Sequence, residues 1–285
     1  MIVSRCSVFE RIADRYDRHA VLENEVGQRL AERLVFQRLE PRSIVDLGCG
    51  TGTLAATLKR RYRPAEVLGI DISAAMCRRT RHQSTWRRPL RAVCADLRTL
   101  PLAAGSADLL ISNLALQWCT DFAAIFAGFR RVLRPGGLLL FSNLGPASMR
   151  EWRSLDPWPR VLHPDAGFVD MHELGDALVA AGFAEPVMDS EILTLCYRNL
   201  DDLIGDLDAT GAASHLLDWP PKDTFLDALR EAYPPSAQAD RFPLSWEIVY
   251  GMAFGPPEGQ PIRGRDGDTA TFSVAALRQS ITRKR

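Results

Sequence analysis

The stretch that most limits what this chain can fold into is Ile44-Val45-Asp46-Leu47-Gly48-Cys49-Gly50-Thr51-Gly52. Residues suited to a buried strand run straight into three glycines, and an apolar, polar-capped segment from Thr53 to Tyr62 follows. Strand, glycine loop and helix in that order read as a nucleotide site. A loop that brings its backbone against a ligand cannot tolerate a β-carbon, and it needs positive φ where it turns. The helix behind it aims its free N–H groups at whatever the loop holds. The spacing Asp-x-Gly-x-Gly-x-Gly differs from the dinucleotide fingerprint Gly-x-Gly-x-x-Gly, whose third glycine serves helix packing. The leading acid, Asp46, points instead to a ligand that carries positive charge.

Around this loop the signals alternate. Strands are predicted at about 43–47, 66–71, 91–95, 107–112 and 137–142, with helices at about 53–61, 74–83, 121–133 and 146–155. That alternation implies a parallel sheet with helices on both faces, an α/β fold. The Arg134-Pro135-Gly136-Gly137 stretch reads as a breaker. Ahead of the sheet, residues 1–41 form an N-terminal helical segment: one short helix over 9–20, then Val26, Leu30 and Leu34 at helical spacing until Pro41. The main domain is expected to span 42–254. Within it, 153–167 reads as a loop or lid, 172–181 as a helix stopped by Gly182, and 186–197 and 244–254 as strands. Helices at 200–210 and 223–233 suggest a small helical cap at about 200–235, before the last strand. Residues 255–285 read as a Gly/Pro/charge-rich tail.

Hydrophobic residues make up 46% of the chain and charged residues 25%, as in ordinary soluble domains, and formal net charge is zero. No global field therefore calls for nucleic acid or membrane. Charge is uneven, however: Lys59, Arg60, Arg61, Arg63, Arg78, Arg79, Arg81, Arg87, Arg88 and Arg91 face only Glu66 and Asp71. The cluster reads either as a solvated face or as a docking patch for an acidic partner. Cysteines 6, 49, 77, 94, 119 and 196 form no Cys-x-x-Cys pair, which argues against zinc and against a disulfide framework. His163 and His172 with Asp165 and Asp170 match no familiar ligand spacing, so no metal is expected. With no signal-peptide pattern and no long apolar span, a cytoplasmic protein is expected.

Ligands of open α/β sheets sit at the carboxyl ends of the strands. There the first strand meets the glycine loop, and the second ends at Asp71, followed by Ile72, where an acid can accept from both hydroxyls of a ribose. The third ends at Asp96, followed by Leu97, where a carboxylate can accept from an exocyclic amine. The fourth ends at Ser112-Asn113. Asp46 has two compatible readings: a brace accepting loop N–H groups, or a counter-charge to the ligand.

This arrangement resembles the class I S-adenosylmethionine-dependent methyltransferases over residues 43–143. The resemblance implies a Rossmann-like sheet and a cofactor site made of Asp46, Gly48, Cys49, Gly50, Gly52, Asp71, Ile72, Asp96, Leu97 and Asn113. A nicotinamide dehydrogenase shares the acidic ribose partner but expects the other glycine spacing.

A narrower resemblance lies outside that core. Tyr16-Asp17-x-His19-Ala20, Ser112-Asn113-Leu114-Ala115-Leu116-Gln117-Trp118-Cys119, Leu144-Gly145-Pro146, Asp170-Met171-His172-Glu173-Leu174-Gly175-Asp176-Ala177-Leu178 and Glu247-Ile248-Val249-Tyr250-Gly251 are similar to stretches of the malonyl-acyl-carrier-protein methyltransferases of biotin synthesis. The resemblance implies methyl transfer from S-adenosylmethionine to the free carboxylate of a malonyl thioester on acyl carrier protein, with S-adenosylhomocysteine as product. The ester hides one charge, so that chain elongation can treat the product as an ordinary acyl primer. A carboxylate is ionised at neutral pH, so no general base is required. Alignment and desolvation carry the reaction. Tyr16, Gln117, Trp118 and Arg150 are the implied acceptor-side residues, Arg150 as a bidentate carboxylate clamp. Trp118 also reads as a core aromatic and Arg150 as a solvent-facing helix residue. Arg11, Arg15, Arg18, Arg150, Arg153 and Arg160 are expected as a basic rim for the acidic carrier protein. Alternatives are a methyltransferase for a quinone-type small molecule and a complex I assembly-type hydroxylase or assembly factor on the same scaffold. A base-modifying enzyme would carry an Asn/Asp-Pro-Pro-Tyr-like signature where Ser112-Asn113-Leu114-Ala115 stands.

Overall fold

Asp46 stands in a buried strand, and the rest of the sheet is laid out on either side of it. The computed structural model describes residues 2–153, 167–213, 229–233, 241–257, 262–264 and 267–269. Strands β1 (Ser43–Leu47), β2 (Glu66–Asp71), β3 (Arg91–Cys94), β4 (Ala107–Ser112), β5 (Leu133–Leu144), β6 (Ala184–Tyr197) and β7 (Phe242–Phe254) form one sheet. Their order is β3-β2-β1-β4-β5-β7-β6. The first five run parallel; β7 is antiparallel to both β5 and β6. Two further short strands, β8 (Ile262–Gly264) and β9 (Gly267–Thr269), pair as a hairpin in the predicted tail.

Helices α1 (Ile2–Ile12), α2 (Tyr16–His19), α3 (Val21–Arg33), α4 (Thr53–Arg61), α5 (Ala74–His82), α6 (Phe122–Val132), α7 (Arg150–Arg153), α8 (Met171–Ala180) and α9 (Leu200–Ala209) complete the described elements. Side chains alternate across the strands. Ile44, Leu109, Ile111, Leu140 and Ile248 pack with α3, α4 and α9 on one face. Val45, Leu110, Leu139, Phe141 and Val249 pack with α6 and α8 on the other. Helix starts are fixed by side-chain caps: Ser73 Oγ accepts from Met76 N, and Asp121, Asp170 and Asn199 do the same for α6, α8 and α9. Such a cap contributes about 1 kcal/mol. Among the described residues no helix is long and apolar enough to cross a membrane.

Three expectations are corrected. The single helix over 9–20 is two, α1 and α2, because the chain turns at Ala13–Arg15 and Arg15 N bonds back to Ile12 O. The helix at 146–155 starts only at Arg150, as α7, since Met149 adopts φ 55° and resets the chain direction; residues 154–155 lie outside the described ones. The Arg134–Gly137 breaker, expected as a turn between helix and strand, lies inside β5 as a bulge: Ala107 pairs with Leu133 while Leu109 pairs with Leu138. Gly136 and Gly137 then bond to Gly255 beyond β7. The predicted loop at 153–167 and helix at 223–233 fall mostly outside the described residues.

Where β5 meets β7, Phe141 pairs with Gly251, and a Cβ at Gly251 would lie 2.2 Å from the Phe141 ring. That ring is fully buried and packs 5.5 Å from Phe126, so it cannot swing away. Gly251→Ala should therefore cost about 1–3 kcal/mol through overpacking. That is a drop of roughly 2–10 °C in thermal midpoint by circular dichroism, and Phe141→Leu in the same chain should recover part of it. A midpoint unchanged in the single variant would contradict the packing described.

Candidate active site

The carboxyl ends of β1, β2, β3 and β4 meet where the strand order turns between β1 and β4, the crevice position of open α/β sheets. The glycine loop leaves β1 there with Gly48, Gly50 and Gly52 at φ 74°, 53° and 90°. Their tasks differ. A Cβ on Gly48 would meet that of Ala115 at 2.2 Å, and one on Gly52 would meet the Thr80 backbone at 2.8 Å. Only Gly50 faces open space. Gly48 and Gly50 line the cavities described next, while Gly52 lines none of them and lets α4 and α5 approach.

Two adjoining cavities open over the loop. The first, about 290 Å³, is lined by Asp71, Ile72, Asp96, Leu97, Asn113 and Trp118, with Phe9, Met76 and Arg98 among others. The second, about 530 Å³, is lined by Asp46, Cys49, Thr51, Glu23 and Arg60. Tyr16, Gly48, Gly50 and Asn113 belong to both. All the predicted cofactor residues except Gly52 thus line one or both of these adjoining cavities.

Asp71 accepts from Gly50 N and Ser73 N, each at 2.9 Å, and burial pushes its carboxyl up to about 6. Asp46 is 1% exposed; Ala55 N–H donates to its carboxyl, and Oδ2 has no partner among the described residues. Burial, then the charge of Asp71, pushes it up to about 7. A buried carboxylate oxygen without a donor is costly, and a cationic ligand in the second cavity removes that cost. The backbone donor to Asp46 thus comes from α4 rather than from the loop, and the other oxygen stays without a partner among the described residues. Asp96 is engaged by Arg98 Nε at 3.0 and 3.1 Å, which holds its carboxyl below the usual range. Arg98 is a wall residue the sequence reading missed.

Asn113 spends its amide on bracing: Nδ2 donates to Glu23 O at 2.8 Å, and Oδ1 accepts from Ser142 Oγ at 2.9 Å. Ser142 Oγ in turn accepts from Leu114 N, fixing Leu114 at φ 46°. Gln117 and Trp118, neighbours in one 3-10 turn, enter different cavities. The Trp118 ring lies 4.8 Å from that of Phe9 beside the first cavity. Gln117 lines a third, about 30 Å³, with His19, Glu23, Leu114 and Trp246. Glu23 was also missed, although Tyr16, His19 and Glu23 recur at helical spacing. Burial holds the Glu23 carboxyl up to about 7. Burial and the Glu23, Asp71 and Asp17 carboxylates hold the half-buried Tyr16 phenol protonated. Arg150 is not brought to any of these cavities; it is exposed on α7, with Nε 3.4 Å from Glu151. Cys49 is buried, its Sγ 3.4 Å from Thr80 Oγ1.

The N-terminal helices cover the crevice. Glu10 accepts from Ser73 Oγ and Ala75 N at 2.9 and 3.0 Å. Asp17 accepts from Thr51 Oγ1 and pairs with Arg79, and His19 pairs with Asp206 at 2.7 Å. Arg78 and Arg79, read as solvated or docking arginines, instead tie α5 to the acids of α1 and α2.

Asp46 and Asp71 carry raised carboxyl pKa values in the fold, so the free protein loses stability as pH climbs from about 4 to about 7. A cationic ligand favours their ionised forms. Affinity for S-adenosylmethionine should therefore rise between about pH 6 and pH 8, with proton release on binding, measured by calorimetry in buffers of different ionisation enthalpy. Asp46→Asn should remove most of the slope; a flat profile in the native protein would refute it.

A family model described as methyltransferase domain matches residues 45–141. The fold is shared with the YcgJ protein of Bacillus subtilis, at TM-score 0.60 and 15% identity over 81% of this chain and 99% of that one. It is shared too with the [4+2]-cyclase SpnF, at TM-score 0.54 and 19% identity over 82% of each. Relatives named malonyl-[acyl-carrier protein] O-methyltransferase match far more of the sequence. That of Gallionella capsiferriformans is 40% identical over 91% of both chains. That of Xylella fastidiosa is 38% identical over 94% of this chain and 93% of its own, and that of a Methylovorus strain 39% over 87% of both. With a class I sheet, an acid-led glycine loop and this similarity along nearly its whole length, the chain belongs to the malonyl-[acyl-carrier protein] O-methyltransferase family of S-adenosylmethionine-dependent enzymes.

Proposed function

We propose that the enzyme methylates the free carboxylate of a malonyl thioester carried on acyl carrier protein, the ester that primes synthesis of the pimeloyl precursor of biotin. One observation carries this reading: the similarity to relatives of that name takes in 87–94% of the chain, well beyond the cofactor core. S-adenosylmethionine supplies the methyl group on a sulfonium that leaves as a neutral thioether. Everything else falls to the protein. Asp46 balances the cofactor's ammonium, Asp71 accepts from the ribose hydroxyls, and Asp96, held by Arg98, accepts from the adenine amine. Ile72, Leu97 and Met76 flank the base, Cys49 and Asn113 shape the walls, and Gly48 and Gly50 let the backbone approach.

The acceptor carboxylate is already ionised, so the residues need only hold it in line and keep it dry. Tyr16, common to the two large cavities, closes over the transferred methyl. Gln117 serves the acceptor side, and Trp118 with Phe9 seals the cofactor side. Arg150 does not act as the carboxylate clamp in this reading; with the exposed Arg11, Arg18 and Arg153 it forms the rim that attracts an acidic carrier protein.

Purified protein with labelled S-adenosylmethionine and malonyl, succinyl or acetyl carrier protein should place label on the malonyl form as a base-labile ester and leave the acetyl form unlabelled. Absence of label on every carrier protein, or label on a hydroxylated ring offered in parallel, would overturn the reading. Tyr16→Phe should lower kcat about tenfold, or ~1.4 kcal/mol of barrier, while cofactor affinity stays constant. A full-rate variant would remove Tyr16 from the reaction.

A further inference from the structure

The third cavity, of about 30 Å³, lies between α2, α3 and α9 and the ends of β5, β6 and β7. It touches the first cavity at Leu114 and the second at Glu23, so it borders the cofactor space on the acceptor side. Its walls are mostly apolar: Leu22, Leu114, Leu144, Leu195 and Leu207. Trp246 closes it from β7. That residue is 3% exposed, and its Nε1 has no acceptor among the described residues. Its neighbours on β7 are spent elsewhere, Ser245 on Glu151 and Glu247 on Ala147 N. A buried indole N–H is normally hydrogen-bonded, and Trp246 is a lining residue of this cavity whose N–H has no partner among the described residues.

We infer that this cavity receives the carboxyl group to be methylated and that the Trp246 Nε1–H donates to it. The inference rests on the methyl-transfer reading above and names the acceptor site within it. A cavity of this size takes about two water-sized groups, which is the bulk of one carboxylate. The ionisable groups facing it are compatible with an anion. Asp206 is paired with His19 at 2.7 Å, and burial, then Asp206, keeps the Tyr197 phenol protonated. Burial raises the Glu23 carboxyl to about 7, which lessens its negative charge at neutral pH. The leucines exclude water from the nucleophile, the condition that alignment-driven displacement needs.

Trp246→Phe removes the N–H together with one ring of the indole, so a modest fall in thermal midpoint accompanies it. The KM for malonyl carrier protein should rise about tenfold, as loss of one buried hydrogen bond to a charged group predicts, while the Kd for S-adenosylhomocysteine stays unchanged. In the native protein, the indole N–H proton resonance absent from the spectrum of the variant should move downfield when malonyl-pantetheine is added with S-adenosylhomocysteine present. A folded variant with native KM, or an indole resonance that does not move, overturns the inference. Should the variant not fold, the native resonance decides alone. Native protein that transfers no methyl to malonyl carrier protein overturns the functional reading itself. Native transfer with an unaffected Trp246→Phe enzyme sinks only the acceptor assignment.

Discussion

The carboxylate of Asp71 is the interaction on which the site depends. It ends β2, takes the N–H of Gly50 from the neighbouring loop and that of Ser73 from the start of α5, and so clamps three segments at the floor of the cofactor space. The clamp is reinforced from both sides: Gly48 N and Cys49 N donate to Ile70 O, and Thr80 Oγ1 donates to Gly50 O. Each carboxylate oxygen retains acceptor capacity after these bonds. One side chain can therefore shape the loop and still face a ribose.

Charge is arranged on the same principle. Acids line the two cavities over the glycine loop, and backbone N–H groups of the loop and of the start of α5 hold Asp71 there. The free protein bears the desolvation of Asp46 and Asp71, and a ligand of opposite charge relieves it. The lid helices α1 and α2 use the opposite arrangement: exposed acids answered by Arg78 and Arg79 on α5. Exposed pairs of that kind each contribute little, which suits a cover that must release.

Much of this was legible in the residues. The buried strand, the acid-led glycine loop and the acids closing β2 and β3 obey local rules; the parallel core followed from them, and the same residues line the two cavities over the loop. What stayed hidden was set by partners remote in sequence. Arg98 taking the carboxylate of Asp96 depends on a side-chain rotamer, and α3 presenting Glu23 between cavities depends on how the helix docks. A Cβ at Gly52 would meet Thr80, which only the packing of α5 brings there, so this glycine also serves a contact that the local sequence does not announce. Arg150 carries the chemistry of a clamp, yet four-residue α7 holds it outward. The bulge in β5 was read as a breaker because proline and glycine signal the same irregularity whether a strand ends or swells.

The placement of β7 between β5 and β6 has a consequence for how the polypeptide is made. The parallel core is complete once β5 has emerged from the ribosome, but the open side of β5 has no partner until residues 242–254 arrive. β6 is synthesised earlier and cannot join the sheet without that strand. A nascent chain of intermediate length thus carries an uncovered apolar strand edge, the kind that recruits other chains. Final closure of the sheet, and with it the wall that Trp246 provides, belongs to the last steps of synthesis.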